Sequence, residues 1–174
     1  MGSPILSESI GEAPLPGFHP WYALKVRARG ERKVKQALEQ KGCEVFLPMR
    51  LECRRYPDRL KKVEIAMFSG YLFCRFDFNR RLPVLLTPGV EYVVTPFGHK
   101  QPVEEAEINA IRRAVQSGRD VEPWPYLEAG DQVQIKCGAL AGLAGPLVRH
   151  RGSERLVLSV HALQRSIAVA IDRS

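Results

Sequence analysis

The chain has 174 residues and a mass of 19.6 kDa, which leaves room for one ordinary domain or two small ones. Hydrophobic residues make up 45% and charged residues 26%, a balance typical of a soluble globular protein and not of a disordered polyelectrolyte or a fibre. No apolar run approaches the roughly 18 residues of a membrane helix, and the amino terminus lacks the pattern of a secretory signal, so we expect a cytoplasmic protein.

The elements of the first two thirds of the chain alternate between strand and helix patterns, with Gly42 and Gly118 ending the two longer helices. In chain order the sequence predicts a disordered tail (1–20), a strand (21–27), a helix (31–41), a strand (44–48), a hairpin (49–66), a strand (71–76), a short helix (83–86), a strand (90–94) and a closing helix (103–117). This order predicts an α+β fold over residues 21–117, a ferredoxin-like α/β sandwich whose helices cover one face of the sheet and leave the other open.

The last third of the chain differs in composition and in hydrophobic periodicity. Residues 118–126 (GRDVEPWPY) have the proline-rich composition of a linker. Residues 127–174 show no helical period but four or five short strand patterns, which predict a small all-β, SH3-like barrel. Gly138, Gly142 and Gly145 are expected to adopt positive φ in its tight turns.

The formal net charge is +7, and the basic excess lies in one segment. Residues 25–62 contain 13 Lys and Arg and 5 Asp and Glu, whereas the rest of the chain holds 13 and 14. This segment, which includes the predicted hairpin, indicates a surface that faces a polyanion. A solvated basic face without a partner is an equally good interpretation.

Two aromatic side chains stand on one face of the strand at 71–76. Because side chains alternate along a strand, Tyr71 and Phe73 share the face opposite Leu72 and Cys74. If the helices cover the second pair, Tyr71 and Phe73 project from the open face, where a partner could bury about 150–250 Å² of each ring. The alternative is that both faces are covered inside the protein, by the hairpin or by the second domain.

Two kinds of partner suit an open aromatic sheet. Residues 69–76 partly match the RNA-binding pattern that stacks bases on strand aromatics, although Ser69, Leu72 and Cys74 depart from it. The other partner is a protein surface, against which Tyr and Phe serve as anchors.

An enzyme is disfavoured, and no cofactor is expected. The sequence has no phosphate-binding glycine loop or nucleophile elbow, and its four histidines are scattered. Its four cysteines form no C-x-x-C pair, which disfavours a zinc site or a disulfide framework.

An ordered set of motifs resembles the NusG family of transcription elongation factors, with its NGN domain followed by a KOW domain. The motifs are WYALKVR at 21–27, VFLP at 45–48, F-x-G-Y-L-F at 68–73, TPGV at 87–90, GDQVQI at 130–135 and the glycine-rich segment at 138–145. The first domain looks more similar to the specialised, operon-specific members of the RfaH and UpxY kind.

The resemblance implies that an aromatic and aliphatic patch docks on the clamp helices of RNA polymerase. In this sequence that role would fall to Tyr71, Phe73, Phe68, Phe97 and Ile108. Arg27, Arg29 and Arg32 would reach the second large polymerase subunit or the displaced non-template DNA strand or RNA. A merely solvated role for these arginines is as good an interpretation.

The resemblance also implies a monomer that suppresses transcriptional pausing and whose KOW domain recruits NusE or Rho, with Arg149, Arg151 and Arg155 as candidate contacts. One branch of the family refolds this domain into a helical hairpin. The Val, Ile and Ser content of residues 156–160 and 166–171 favours the β form here.

Overall fold

Eleven strands and three α-helices make up the described part of the chain, which in this computed structural model comprises residues 19–127 and 130–172. The elements are β1 (Trp21–Val26), α1 (Glu31–Gln40), β2 (Glu44–Phe46), β3 (Met49–Arg55), β4 (Leu60–Ala66), β5 (Tyr71–Arg75), α2 (Leu82–Leu85), β6 (Val90–Val93), α3 (Glu105–Gln116), β7 (Val121–Pro125), β8 (Gln132–Gln134), β9 (Ala144–His150), β10 (Ser153–Val160) and β11 (Arg165–Ile171). The predicted tail at 1–20 lies outside the described residues except for His19 and Pro20. No helix in the described ranges is long and apolar enough to cross a membrane.

A four-stranded antiparallel sheet in the order β2-β5-β1-β6 forms the centre of the first part of the chain. Its central strands β1 and β5 are aligned with Leu24 opposite Leu72. The six residues WYALKV of β1 are almost wholly buried, because the strand lies in the middle of the sheet with cover on both faces. The predicted α+β class is confirmed.

The prediction that one face of this sheet stays open is wrong. Helices α1 and α2 contribute Val34, Leu38 and Val84 to a core with Leu72 and Cys74 on one face. Helix α3 lies over the opposite face, where its Glu105 accepts hydrogen bonds from the Trp21 indole at 3.1 Å and the Arg75 guanidinium at 2.5 Å. The apolar stripe of α3 therefore has a sheet face of its own to bury.

Strands β3 and β4 form the predicted hairpin as a separate two-stranded sheet. Seven residue pairs run from Met49 opposite Ala66 at the base to Arg55 opposite Leu60 near the turn. Every residue from 53 to 62 is exposed, so the outer half of the hairpin projects from the body of the protein.

The second sheet has five strands in the order β7-β11-β10-β9-β8. The segment predicted as a linker at 118–126 contains β7, which pairs with β11 and places Trp124 opposite Ser166. Arg155 of β10 strengthens this attachment through ion pairs with Asp120 at 2.7 Å and Glu122 at 3.2 Å. Five of the nine predicted linker residues thus belong to the second sheet. The division of the chain into domains stays a prediction.

Candidate functional site

Tyr71 and Phe73 share one face of β5, as the strand periodicity predicts, but their environments differ. Phe73 lies opposite Ala23 of β1 and Phe46 of β2, in the middle of the sheet, and is completely buried. Tyr71 lies nearer the end of the strand, opposite Lys25, and is half-buried. The prediction that both rings are bare is therefore wrong.

Phe73 is the centre of an aromatic cluster. The Phe46 ring stacks beside it at 6.0 Å between centroids, and the Phe68 ring meets it edge-on at the same distance. Phe68 is itself only 2% exposed. Arg112 of α3 places its guanidinium 5.0 Å from the centre of the Phe46 ring, so the helix covers this cluster.

The Tyr71 ring joins the two sheets through a pair of cations. Lys25 Nζ of β1 lies 4.7 Å from the ring centroid, and the Arg165 guanidinium carbon of β11 lies 5.2 Å from it. Both distances are within the range of cation–π attraction. An anchor residue predicted for an external partner thus meets the second sheet of its own chain.

Ile108 is also buried, and Phe97 is not part of the same patch. Ile108 of α3 belongs to the apolar core that contains Phe68 and Phe73. This core continues through Leu140 and Leu143 of the turn before β9 and into the second sheet through Leu156, Leu158, Val160, Ile167 and Val169. Phe97 is 97% exposed, has a left-handed backbone with φ 54°, and belongs to neither core. The structure therefore brings together Tyr71, Phe73, Phe68 and Ile108 but not Phe97.

Polar contacts reinforce the junction between α3 and the second sheet. Arg113 Nη2 donates hydrogen bonds to the carbonyl oxygens of Ala139 at 3.0 Å and Ala141 at 2.6 Å, both in the glycine-rich turn before β9. In the first turn of α3, Glu107 meets the imidazole of His161 and accepts a hydrogen bond from the His161 backbone N–H at 3.2 Å. The second sheet is held over α3 at two points.

The three arginines predicted to reach the polymerase or nucleic acid are all exposed, but one has an internal partner. Arg27 and Arg29 lie in the loop between β1 and α1. Arg32, in the first turn of α1, forms an ion pair with Glu64 of β4 at 2.5 Å. Arg32 therefore links the helix to the base of the hairpin, and Arg27 and Arg29 have the freer side chains.

Comparison with known proteins assigns the family. The family model described as NusG, transcription termination factor nusG, matches residues 19–112, more than half of the chain. The chain belongs to the NusG family. It is 26% identical over 156 residues to the transcription termination/antitermination protein NusG of Campylobacter jejuni, covering 82% of this chain and 88% of that protein.

The fold is also similar to a solved member of the NusG family. A structure described as "Domain interaction in Thermotoga maritima NusG" aligns with a TM-score of 0.51 and 20% identity, covering 86% of this chain and 92% of that one. At this level of identity the likeness bears on the fold alone. It supports the arrangement of an α/β unit followed by an all-β unit.

Two of the three turn glycines predicted for the second unit of this NusG-family chain have the expected backbone. Gly138 and Gly142 have φ of 80° and 86°. Gly145 does not have positive φ, because it lies inside β9, and a Cβ built on it would come within 2.2 Å of the Val157 carbonyl oxygen. Gly145 is needed for the close approach of β9 and β10.

Sequence reasoning missed the role of α3 as a shared element. The apolar side chains of Ile108, Ile111 and Val115 account for only one side of the helix. Ala106, Ala110 and Ala114 recur every four residues, and the first two line a cleft of about 420 Å³ with Pro146, Leu158 and other residues of the second sheet. This spacing of small side chains was the available signal that a second side of the helix faces another element, from which Ala106 and Ala110 are separated by the cleft.

A pair of thiols, one of them buried, lies away from these contacts. A hydrogen bond from the Cys74 thiol is the main cause that lowers the pKa of Cys43 to about 7, and the same bond, together with burial, raises the pKa of Cys74. Cys43 precedes β2, and Cys74 lies opposite Val45 of that strand. In residues 19–127 and 130–172 no three His, Cys, Asp or Glu side chains are grouped to hold a metal ion.

Proposed function

We propose that this NusG-family protein is a transcription elongation and antitermination factor that binds the RNA polymerase clamp through the face around Tyr71, Phe73, Phe68 and Ile108. The observation that carries the proposal is the position of Tyr71, at the edge of a buried aromatic cluster and in contact with the second sheet. A half-buried ring of this kind is suited to be an interface anchor once its cover moves. Phe97, which lies outside this patch, has no part in the proposed contact.

The covering of this face implies that binding includes a change in the protein. The core holding Phe68, Phe73 and Ile108 continues into Leu156, Leu158 and Val160 of the second sheet. Separating the second sheet from α3 would uncover apolar side chains of that core, which polymerase would then bury. The apparent affinity is reduced by the fraction of molecules that are closed.

The proposed action is mechanical. By contacting the clamp through the first unit and the opposite side of the DNA channel through Arg27 and Arg29, the bound protein would resist clamp opening and suppress pausing. The freed second unit would then recruit a further factor, with NusE and Rho as candidates, near the transcript. Arg149 and Arg151 are exposed and suited to this contact, whereas Arg155 is buried in its ion pairs.

The alternative of an RNA-binding module that stacks bases on an open sheet is disfavoured. That mode requires several bare rings on the sheet face, and Phe73 is sealed beneath neighbouring side chains. The basic hairpin stays accessible to a nucleic acid, because residues 53–62 are exposed.

Replacing Tyr71 by Ala tests the proposal. The change removes a cation–π contact that helps keep the protein closed, worth about 0.5–1 kcal/mol, but it also removes an interface anchor worth about 2 kcal/mol or more. Because the second effect is larger, we expect net weaker binding to core polymerase and a smaller reduction of pause lifetimes.

Tyr92→Ala is the matched control. Tyr92 is a half-exposed tyrosine of β6 outside the proposed patch, so its removal should leave both readouts at the level of the parent protein. Parent-like polymerase affinity for Tyr71→Ala would refute the assignment of this face.

A further inference from the structure

The outer half of the β3–β4 hairpin is a fully exposed basic ribbon. Residues 53–62 contain five Lys or Arg side chains and a single acidic residue, Asp58, in the turn. Arg54 is occupied by an ion pair with Glu52 at 3.0 Å. The other four cations have no ion pair with any described residue: Arg55, Arg59, Lys61 and Lys62.

The carboxylates at the base of the hairpin are already engaged. Hydrogen bonding from Arg54 and the nearby charge of Arg50 hold the pKa of Glu52 below its usual range. Glu64 is paired with Arg32 of α1. The outer cations are therefore not neutralised from within the hairpin.

The strand register adds to the repulsion among these charges. Arg54 lies directly opposite Lys61, a like-charge pair that destabilises an antiparallel ribbon. Lys62 and Arg55 follow on the adjoining positions of the two strands. A polyanion would relieve this repulsion, and the hairpin places cations along both of its strands to meet one.

The shape of the ribbon favours duplex DNA among polyanions. Seven residues per strand span about 24 Å, and a two-stranded ribbon fits the major groove of B-DNA, which is about 12 Å wide. Cations on both strands can then reach both phosphate backbones. The major groove of duplex RNA is too narrow for this, and single strands are bound by several stacking rings, whereas residues 53–62 offer only Tyr56.

One face of the ribbon also offers apolar surface. Leu51 and Leu60 are 63% and 75% exposed and share that face with Arg55 and Lys62. Such side chains suit the methyl groups of thymine and the sugars that line a groove.

We propose that the β3–β4 hairpin is a duplex-DNA-binding arm that contacts the phosphate backbones through Arg55, Arg59, Lys61 and Lys62. The inference rests on the exposure, charge and register of the hairpin and does not depend on the clamp-binding proposal. Within that proposal, the arm would hold the DNA that enters or leaves the polymerase.

The test measures the affinity of the full chain for a 30-base-pair DNA duplex by fluorescence anisotropy across a salt series. The variant carries R55Q, R59Q, K61Q and K62Q, and the control carries the same loss of charge at exposed cations elsewhere, R80Q, R81Q, K100Q and K136Q. Each neutralised phosphate contributes about 0.9 to the log–log salt slope. We expect the hairpin variant to bind at least tenfold more weakly, with a slope shallower by about 3 to 4.

Several outcomes would overturn the proposal. Equal losses in the hairpin variant and the control would show a general effect of net charge. If single-stranded DNA or duplex RNA bound more tightly than duplex DNA, duplex DNA would not be the preferred partner of the hairpin. Because the assay contains no polymerase, Tyr71→Ala should retain parental DNA affinity, which separates this test from that of the clamp-binding face. Unchanged thermal unfolding of the hairpin variant shows that it is folded.

Discussion

At the scale of residues, Tyr71 and Phe73 show that two side chains on one strand face can have different roles. Both point to the same side of β5, but Phe73 has sheet neighbours on both sides whereas Tyr71 lies near the strand end. The strand pattern predicts the shared face and nothing about what lies above it. Phe97, to which the resemblance assigns the same role, packs in neither core and is apart from the others.

Gly145 allows a residue-scale prediction about stability. In Gly145→Ala the added Cβ would meet the Val157 carbonyl, so β9 and β10 must move apart, and we expect a loss of about 2–3 kcal/mol. In Gly142→Ala nothing lies within 4 Å of the added Cβ, and only the positive φ costs free energy, about 1 kcal/mol. Chemical denaturation of both variants measures the difference. If Gly142→Ala were the less stable, the assigned roles of the two glycines would be reversed.

At the scale of elements, α3 has contacts on two sides. One side packs on the four-stranded sheet and includes Ile108 and Ile111, and the other meets the second sheet through Glu107, Ala110 and Arg113. A helix that joins two sheets in this way couples their positions.

Arg113→Ala should loosen this coupling. It removes two charged hydrogen bonds to the carbonyls of Ala139 and Ala141, which we expect to weaken the closed arrangement by about 1–2 kcal/mol. If closure limits access, the apparent affinity for core polymerase should rise by a factor of about 5 to 30. Arg80→Ala, an exposed arginine in the same unit, is the control and should bind like the parent. Weaker polymerase binding by Arg113→Ala would contradict a covering role for the second sheet.

The sequence predicted the elements better than their packing. Helix α3, the hairpin and the strands of the four-stranded sheet were predicted to within a few residues, because local periodicity and turn residues determine them. The apolar side chains of α3 indicate that the helix buries one side, but they do not indicate which surface it packs against. The prediction of an open sheet face was therefore wrong, since α3 covers that face. The segment with Pro123 and Pro125 reads as a linker by composition, and only its pairing with β11 as an edge strand reveals its place.

At the scale of the whole molecule, the structure is a closed arrangement of a NusG-family protein. At the face proposed to bind polymerase, α3 covers the aromatic cluster and Arg165 of the second sheet covers Tyr71. The Arg113 hydrogen bonds hold α3 to the turn before β9. The DNA-binding arm proposed for the hairpin remains exposed. We therefore expect the hairpin to be available before the clamp-binding face is uncovered.

The most direct test of this account is the distance between the two parts of the protein when polymerase binds. Cys53 on the hairpin and Cys137 near β8 are exposed and can carry a donor and an acceptor dye in a Cys43→Ala variant, in which Cys74 stays buried. We predict efficient energy transfer in the free protein that falls when core polymerase is added to saturation. If polymerase binding is saturated and the transfer efficiency does not change, the second sheet has not moved away from the first unit. That result would contradict the claim that polymerase binding opens the protein.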